Sequence, residues 1–333
     1  MEPRRIGPFT VSAVSLGCMN LSHAYGTPPP PAQARAVLLR ALDLGVTMLD
    51  TAALYGFGAN ETLLGEVLKP HRHRFVLASK GGMAGVQFAD GVKRVIDGRP
   101  EAIRRNCEDS LRRLQTDHID LYYLHRWDKR VPIEDCVGAM AELVRAGKVR
   151  ALGLSEVSAA TLKRAHAVHP IVALQSEYSL WSRNVELAAL QACREIGAAL
   201  VAFGPLARAF LTGTLRDVGT LQPKDIRRGM PRFAAEHYPA NLKLLDGYAR
   251  VAQQAGCSMA QLALAWVLAR GPDVVALPGT TQLAHLEENA AAAAVRLDAG
   301  VVQQLDELIN QRTVSGARYN DAAQADIDTE EFA

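Results

Sequence analysis

The chain repeats one junction: a helical stretch stops on glycine and a short apolar run begins at once. The stretch from Ala32 to Leu44 stops at Gly45 before Val46; Leu143-Val144-Arg145-Ala146-Gly147 precedes Val149 to Leu154; Cys193-Arg194-Glu195-Ile196-Gly197 precedes Ala199 to Phe203. Glycine ends a helix because it enters the left-handed conformation without a Cβ penalty. Short apolar runs between such signals read as buried strands. Eight strands are predicted: Val14–Gly17, Val46–Asp50, Phe75–Lys80, Ile119–His125, Val149–Ser155, Ala173–Glu177, Ala199–Phe203 and Val274–Pro278. A helical pattern separates each pair and follows the last, as in repeated βαβ units. No composition break marks a linker. The expected fold is α/β, a (β/α)8 TIM barrel formed as a single domain over residues 1–333. An open doubly wound sheet is the rival that strand count does not exclude.

Three segments stand outside the repeat. The Pro-containing N-terminal segment suggests a short hairpin. Gly81 to Gly98 and Gly204 to Tyr238 are long connections after the third and seventh strands. Both belong to the C-terminal rim of a barrel, where loops of this length act as lids or binding loops. The tail from Gln311 to Ala333 is polar, ends acidic, and is expected to pack outside the barrel.

The strand ends carry chemistry. The second predicted strand ends on Asp50, the third on Lys80 and the fourth on His125, and Tyr55 follows Asp50 by five residues. A buried carboxylate needs a partner, and a common strand direction brings all four residues to one rim. Taken singly, Asp50 and Lys80 read as a structural ion pair, His125 as a core histidine and Phe203 as core. Together they suggest a proton donor. A phenol has an ordinary pKa of about 10, and an ammonium held beside it by a carboxylate is expected to lower that value. His125 is placed to bond the same oxygen or a substrate carbonyl. No metal-ligand spacing and no nucleophile elbow accompany the set, so no metal is expected. Protonation of a carbonyl oxygen coupled to hydride transfer fits these parts, and the hydride must then come from a cofactor. Gly56-Phe57-Gly58-Ala59-Asn60-Glu61 lacks the third glycine of a dinucleotide fingerprint and reads as a turn, with Asn60 as the cap of the following helix.

Composition excludes other classes. The net charge of +2 offers no basic field for nucleic acid. No apolar run is long enough to span a bilayer, so no membrane partner is expected. Met1-Glu2-Pro3-Arg4-Arg5 leads into no apolar segment, and the five cysteines are scattered without close pairing. No secretory leader is expected, and the anticipated setting is the reducing cytoplasm.

Asp50-Thr51-Ala52-Ala53-Leu54-Tyr55-Gly56, Ser79-Lys80, Leu124-His125-Arg126, Gly153-Leu154-Ser155-Glu156 and Leu277-Pro278-Gly279-Thr280-Thr281 follow one another along the chain. In this order they resemble the motifs of the aldo-keto reductase superfamily, over nearly the whole length. Gln175-Ser176-Glu177-Tyr178-Ser179-Leu180 is similar to the branch with pyridoxal-reductase-like and auxin-induced-type proteins. The resemblance implies a catalytic tetrad of Asp50, Tyr55, Lys80 and His125, with Tyr55 as general acid, and NADPH bound across the rim. It implies that Ser155, Glu156 and Gln175 hold the carboxamide and that Phe203 stacks on the nicotinamide. Gly204, Pro205, Leu206 and Arg208 would line the pyrophosphate. Gly279, Thr280, Thr281, Gln282, Glu288 and Asn289 would bind the adenosine end.

Some positions depart from that pattern. Phe203 replaces a usual tyrosine, Gly204 a usual serine, and Gln282 and His285 replace basic residues that meet the 2′-phosphate in many relatives. A neutral contact to phosphate is weaker than a charged one, so NADH or dual use stays open beside NADPH. Met19, Tyr25, Met83 and Trp127 in strand-end loops are candidates for an apolar substrate wall, with Trp181 beside them. A small carbonyl compound is the expected substrate. The alternative is a nucleotide-sensing regulatory subunit on the same fold with little turnover. Oligomeric state is not readable from this sequence.

Overall fold

The computed structural model describes residues 2–332. Eight strands form one sheet: Leu16–Gly17, Met48–Asp50, Val76–Gly81, Ile119–Leu124, Val149–Ser155, Ile171–Glu177, Ala199–Phe203 and Val274–Leu277. They lie side by side in chain order and run parallel. The two ends of the sheet meet. Ser15 N donates to Ala276 O at 2.9 Å, Ala276 N to Ala13 O at 3.0 Å, and Gly17 N to Pro278 O at 2.9 Å. Closure leaves the sheet no free edge, and the open alternative is thereby ruled out.

The helices that separate the strands begin and end as the sequence dictates. Pro31 and Pro100 open the first and third, at positions whose N–H needs no partner. Gly45, Gly147 and Gly197 end three of them at φ of 78°, 72° and 72°. Apolar side chains fill two layers. One lies between sheet and helices and includes Leu38, Val137, Leu162 and Trp266. The other fills the barrel itself, from Met48, Ala78, Leu121, Tyr123, Ala151, Ala173, Ala199, Val201 and Val275. The N-terminal segment is a hairpin, Pro3–Ile6 paired with Phe9–Ser12. Its Ile6 and Val11 join the interior layer and close one end of the barrel.

The long connection 81–98 takes the form of a hairpin, Met83–Phe88 paired with Gly91–Ile96 and reversing at Gly91 with φ 119°. One expectation needs correction. Asn60 is not a cap. The helix Ala59–Leu68 starts after Gly58 at φ 96°, and Asn60 is buried within it. The tail packs over the barrel from outside. It returns across the rim, where Arg318 is 4% exposed and Lys129 Nζ donates to Ala325 O and Ile327 O.

The interior layer is tight at one point. A Cβ on Gly153 would lie 2.4 Å from two ring carbons of Tyr123, whose ring fills the barrel opposite small neighbours. Gly153→Ala is expected to cost about 1–3 kcal/mol by overpacking, read as a lower urea midpoint with an unchanged slope. A neutral result would show that the ring can retreat.

Candidate active site

Asp50, Thr51 and Lys80 stand at the C-terminal ends of the second and third strands, fully removed from solvent. Lys80 Nζ donates to Asp50 Oδ1, to Thr51 O at 3.0 Å and to the Tyr55 hydroxyl at 3.1 Å. The other Asp50 oxygen accepts Gln175 Nε2 at 2.8 Å. Burial pushes the Asp50 carboxyl up, with the Lys80 ammonium and the Gln175 amide on its two oxygens opposing. Burial also works against the charge on Lys80; Asp50 and then Tyr55 outweigh it, and its pKa lies above the ordinary value. The ammonium is therefore a fixed positive charge beside the phenol.

Tyr55 is held by a strained turn. Gly56, Phe57 and Gly58 follow it at φ of 57°, 53° and 96°. A Cβ on Gly56 would meet Ser22 at 3.1 Å, a tight approach added to a conformation that favours glycine. His125 packs edge-on against the Tyr55 ring, with centroids 5.7 Å apart, and His23 stacks on it at 6.2 Å. The expected lowering of the phenol pKa is not found. Burial dominates and raises it, with Lys80 opposing, so Tyr55 keeps its proton. Burial, with Arg126 and Lys80 adding, lowers the His125 pKa well below its ordinary value. The imidazole is neutral at pH 7, and its Nδ1 has no protein partner among the described residues.

Two residues that read as a plain helix start hold this arrangement together. Asn60 Nδ2 donates to Cys18 O at 2.8 Å and Ser22 Oγ at 2.9 Å, and its Oδ1 accepts Thr51 Oγ1 at 2.7 Å. Glu61 Oε1 accepts Ser79 Oγ at 2.5 Å, and Arg113 pairs with its Oε2 at 2.8 Å. One turn of helix thus ties the ends of the first three strands. The sequence hint was a polar pair directly behind a double glycine turn.

Tyr55 and His125 open into a cavity of about 780 Å³. Ser155, Gln175, Phe203, Gly204, Pro205, Leu206, Arg208, Gly279, Thr280, Thr281, Gln282, Glu288 and Asn289 line it, with Met19, Tyr25 and Met83. Lys80 lies behind Tyr55, outside the lining. Three candidates lie elsewhere. Trp181 is buried, stacked on Phe210 with centroids 4.0 Å apart, and does not line the cavity. Trp127 donates its Nε1 to Val131 O at 2.8 Å and does not reach the cavity. Glu156 is buried, with both oxygens bonded to Arg318 Nη2 at 2.7 Å and Oε1 accepting the Glu177 N–H. It is not free to hold a carboxamide.

Arg318 and Tyr319 come from the tail and were missed in the sequence. Tyr319 donates its hydroxyl to Glu177 Oε2 at 2.7 Å, and Arg208 pairs with the same oxygen at 2.9 Å. Burial pushes the Glu177 carboxyl up, yet Arg208, Arg318 and the Tyr319 hydroxyl outweigh it and bring it to about 2. The backbone beneath is strained too: Ala207, Arg208 and Ala209 sit at φ of 49°, 55° and 73°. Among the described residues, the N–H groups of Leu206, Arg208 and Ala209 have no protein acceptor. Successive left-handed residues with free N–H groups suit an anion. The helix Leu283–Ala291 adds a second set of free N–H groups at its start. The residues present therefore fit an extended dinucleotide with phosphates near the seventh and eighth strands. No group of three or more metal-ligating side chains converges among the described residues.

The comparisons agree with the geometry. Residues 13–310 match the profile of the aldo/keto reductase family, and the chain belongs to that family, a family of oxidoreductases. It is 41% identical to probable aldo-keto reductase 1 of Glycine max over 324 residues, covering 96% of this chain and 92% of that protein. The glycerol dehydrogenase of Gluconobacter oxydans superposes with a TM-score of 0.85 at 29% identity, covering 92% of this chain and 94% of that one. An aldo/keto reductase from Klebsiella pneumoniae, solved with NADP and acetate, gives 0.70 at 31% identity, covering 96% and 98%.

The unfolded chain binds a proton at Glu177 near its ordinary carboxyl pKa, whereas the folded chain does so only near 2. This contribution to stability is complete above about pH 4.5 and disappears as the pH falls toward 2. Glu177→Gln is expected to cost about 3–5 kcal/mol at pH 7, because it strands the buried Arg208, whose only carboxylate partner among the described residues is Glu177, while Arg318 keeps Glu156, and to flatten the acid arm of a Tm-against-pH curve. An unchanged acid arm would contradict the assignment.

Proposed function

We propose that the chain reduces an aldehyde or ketone to the alcohol by hydride transfer from a nicotinamide dinucleotide, with Tyr55 as general acid. The observation that carries this is one cavity with Tyr55 and His125 at one end and the anion-suited loops of the seventh and eighth strands at the other. When bound, the reduced dinucleotide supplies the hydride. Phe203, half-buried and lining the cavity, offers the nicotinamide a face, while the Ser155 hydroxyl and the Gln175 amide offer it polar contacts.

The remaining chemistry belongs to the chain. Tyr55 gives its proton to the carbonyl oxygen as that oxygen becomes negative. Lys80, 3.1 Å from the phenol oxygen, stabilises the phenolate left behind. Since burial holds the phenol proton on, the acid is fully loaded at neutral pH, and the ammonium acts as the charge develops. Neutral His125 can donate one hydrogen bond to the carbonyl and orient it.

We assign NADPH by likeness to the Klebsiella pneumoniae enzymes, solved with NADP and with NADPH. Gln282 and His285 are exposed at the far end of the cavity, and neither carries a fixed charge. The preference over NADH is therefore expected to be small, and Gln282→Arg to tighten NADPH about tenfold through a charged contact worth about 1.4 kcal/mol. Fluorescence titration with both nucleotides checks this; equal NADPH affinity in the variant would contradict it.

Tyr55→Phe is expected to lower turnover of an aromatic aldehyde by at least about a hundredfold, with nucleotide affinity retained. Persistent activity would contradict the mechanism. Nucleotide binding with negligible turnover in the unmodified protein would favour the regulatory reading instead.

A further inference from the structure

Around the reacting end of the cavity the cations outnumber their partners. Lys80 is matched by Asp50. Arg94, on the hairpin that follows the third strand, pairs with Asp326 of the tail at 2.6 Å. Arg126 directly follows His125, lines the cavity and is half-buried. Its Nη1 donates to its neighbour's carbonyl, His125 O, at 2.7 Å and to Ser155 Oγ at 3.2 Å. Nε and Nη2 make no hydrogen bond to a protein group, and no carboxylate pairs with Arg126 among the described residues. His23 and His125 are the other titratable groups here; burial keeps both neutral at pH 7. The site therefore holds one uncompensated positive charge, on a guanidinium anchored at one nitrogen and free along the rest of its fork.

A half-buried charge without a partner is unfavourable unless a ligand supplies one. The dinucleotide phosphates are poorly placed to do so. The free N–H groups that suit them belong to the seventh and eighth strands, whereas Arg126 follows the fourth, on the other side of the barrel. Arg126 touches Ser155, and the group that Ser155 would meet on the proposed reading, the carboxamide, is neutral. The apolar part of the reacting end is formed by Met19, Leu54 and Met83.

We propose that the substrate is an aldehyde or ketone that also carries a carboxylate, bound by the free edge of the Arg126 guanidinium while its body lies against Met19, Leu54 and Met83. This rests on the reductase reading and narrows its substrate class. One unmatched cation favours a single negative charge over the two of a phosphate monoester, and a planar guanidinium matches a carboxylate in two parallel bonds.

The test compares 2-, 3- and 4-carboxybenzaldehyde with benzaldehyde, on the unmodified protein and on Arg126→Met and Arg126→Lys. The best carboxylated isomer is expected to show kcat/KM at least roughly tenfold above benzaldehyde, mainly through KM, as a charge-assisted contact gives. Arg126→Met is expected to bring that ratio to about one, and Arg126→Lys to keep part of it. A ratio at or below one in the unmodified protein would overturn the proposal, as would a Met variant that loses both substrates in equal proportion. Calorimetric titration with the matching carboxybenzyl alcohol and with benzyl alcohol separates the two claims. Arg126-dependent binding of the carboxylate without turnover would support the anion site and sink the reductase reading. Turnover of benzaldehyde with no carboxylate preference in rate or binding would do the reverse.

Discussion

The ion pair between Lys80 and Asp50 is the constraint on which the rest of the site depends. Burying two charges costs several kcal/mol per ion unless every remaining donor and acceptor is satisfied. Here they are: Thr51 O and the Tyr55 hydroxyl take the other contacts of the ammonium, and Gln175 takes the second carboxylate oxygen. Three strands must be in register to deliver those groups, because Asp50 comes from the second strand, Lys80 from the third and Gln175 from the sixth. A closed barrel meets that demand. The Tyr55 phenol is then the one ionisable contact of the pair that faces the cavity.

A second buried charge system lies on the opposite side of the same rim. Glu156 and Glu177 share Arg318, Arg208 and Tyr319, and the tail that brings in Arg318 and Tyr319 is pinned further by Ser158 to Asp328 and Ala159 to Glu330. These contacts hold the seventh-strand loop in its left-handed run against its own strain. Strain of this kind persists only where neighbours over-determine it, and two carboxylates and two guanidiniums do so here. The tail is thus a structural part of the cavity wall.

The barrel and the convergence of Asp50, Tyr55, Lys80 and His125 on one rim were legible because each feature is local. Glycine after a helix and a carboxylate or ammonium at the end of an apolar run are visible within a few residues. Asn60 and Glu61 were hidden for the opposite reason. Polar residues at a helix start look like caps, and only the fold shows that they reach Cys18, Ser22, Thr51 and Ser79. Arg318 lies 162 positions from Glu156, and no sequence pattern links the two. Trp127 sits in a strand-end loop as expected, but its ring turns toward the Val131 backbone, a choice that proximity in sequence does not reveal. The phenol pKa went the other way because burial outweighs the ammonium, and burial is a property of the whole fold.

The central claim is that hydrogen passes directly from the nicotinamide to the carbonyl carbon in this cavity. The most direct measurement is reduction of an aromatic aldehyde with NADPH carrying deuterium at both positions of C4, in ordinary water, with mass analysis of the alcohol. Direct transfer predicts one deuterium on the carbinol carbon and none lost to solvent. An alcohol without deuterium, formed at a rate that still requires the protein, would contradict the account.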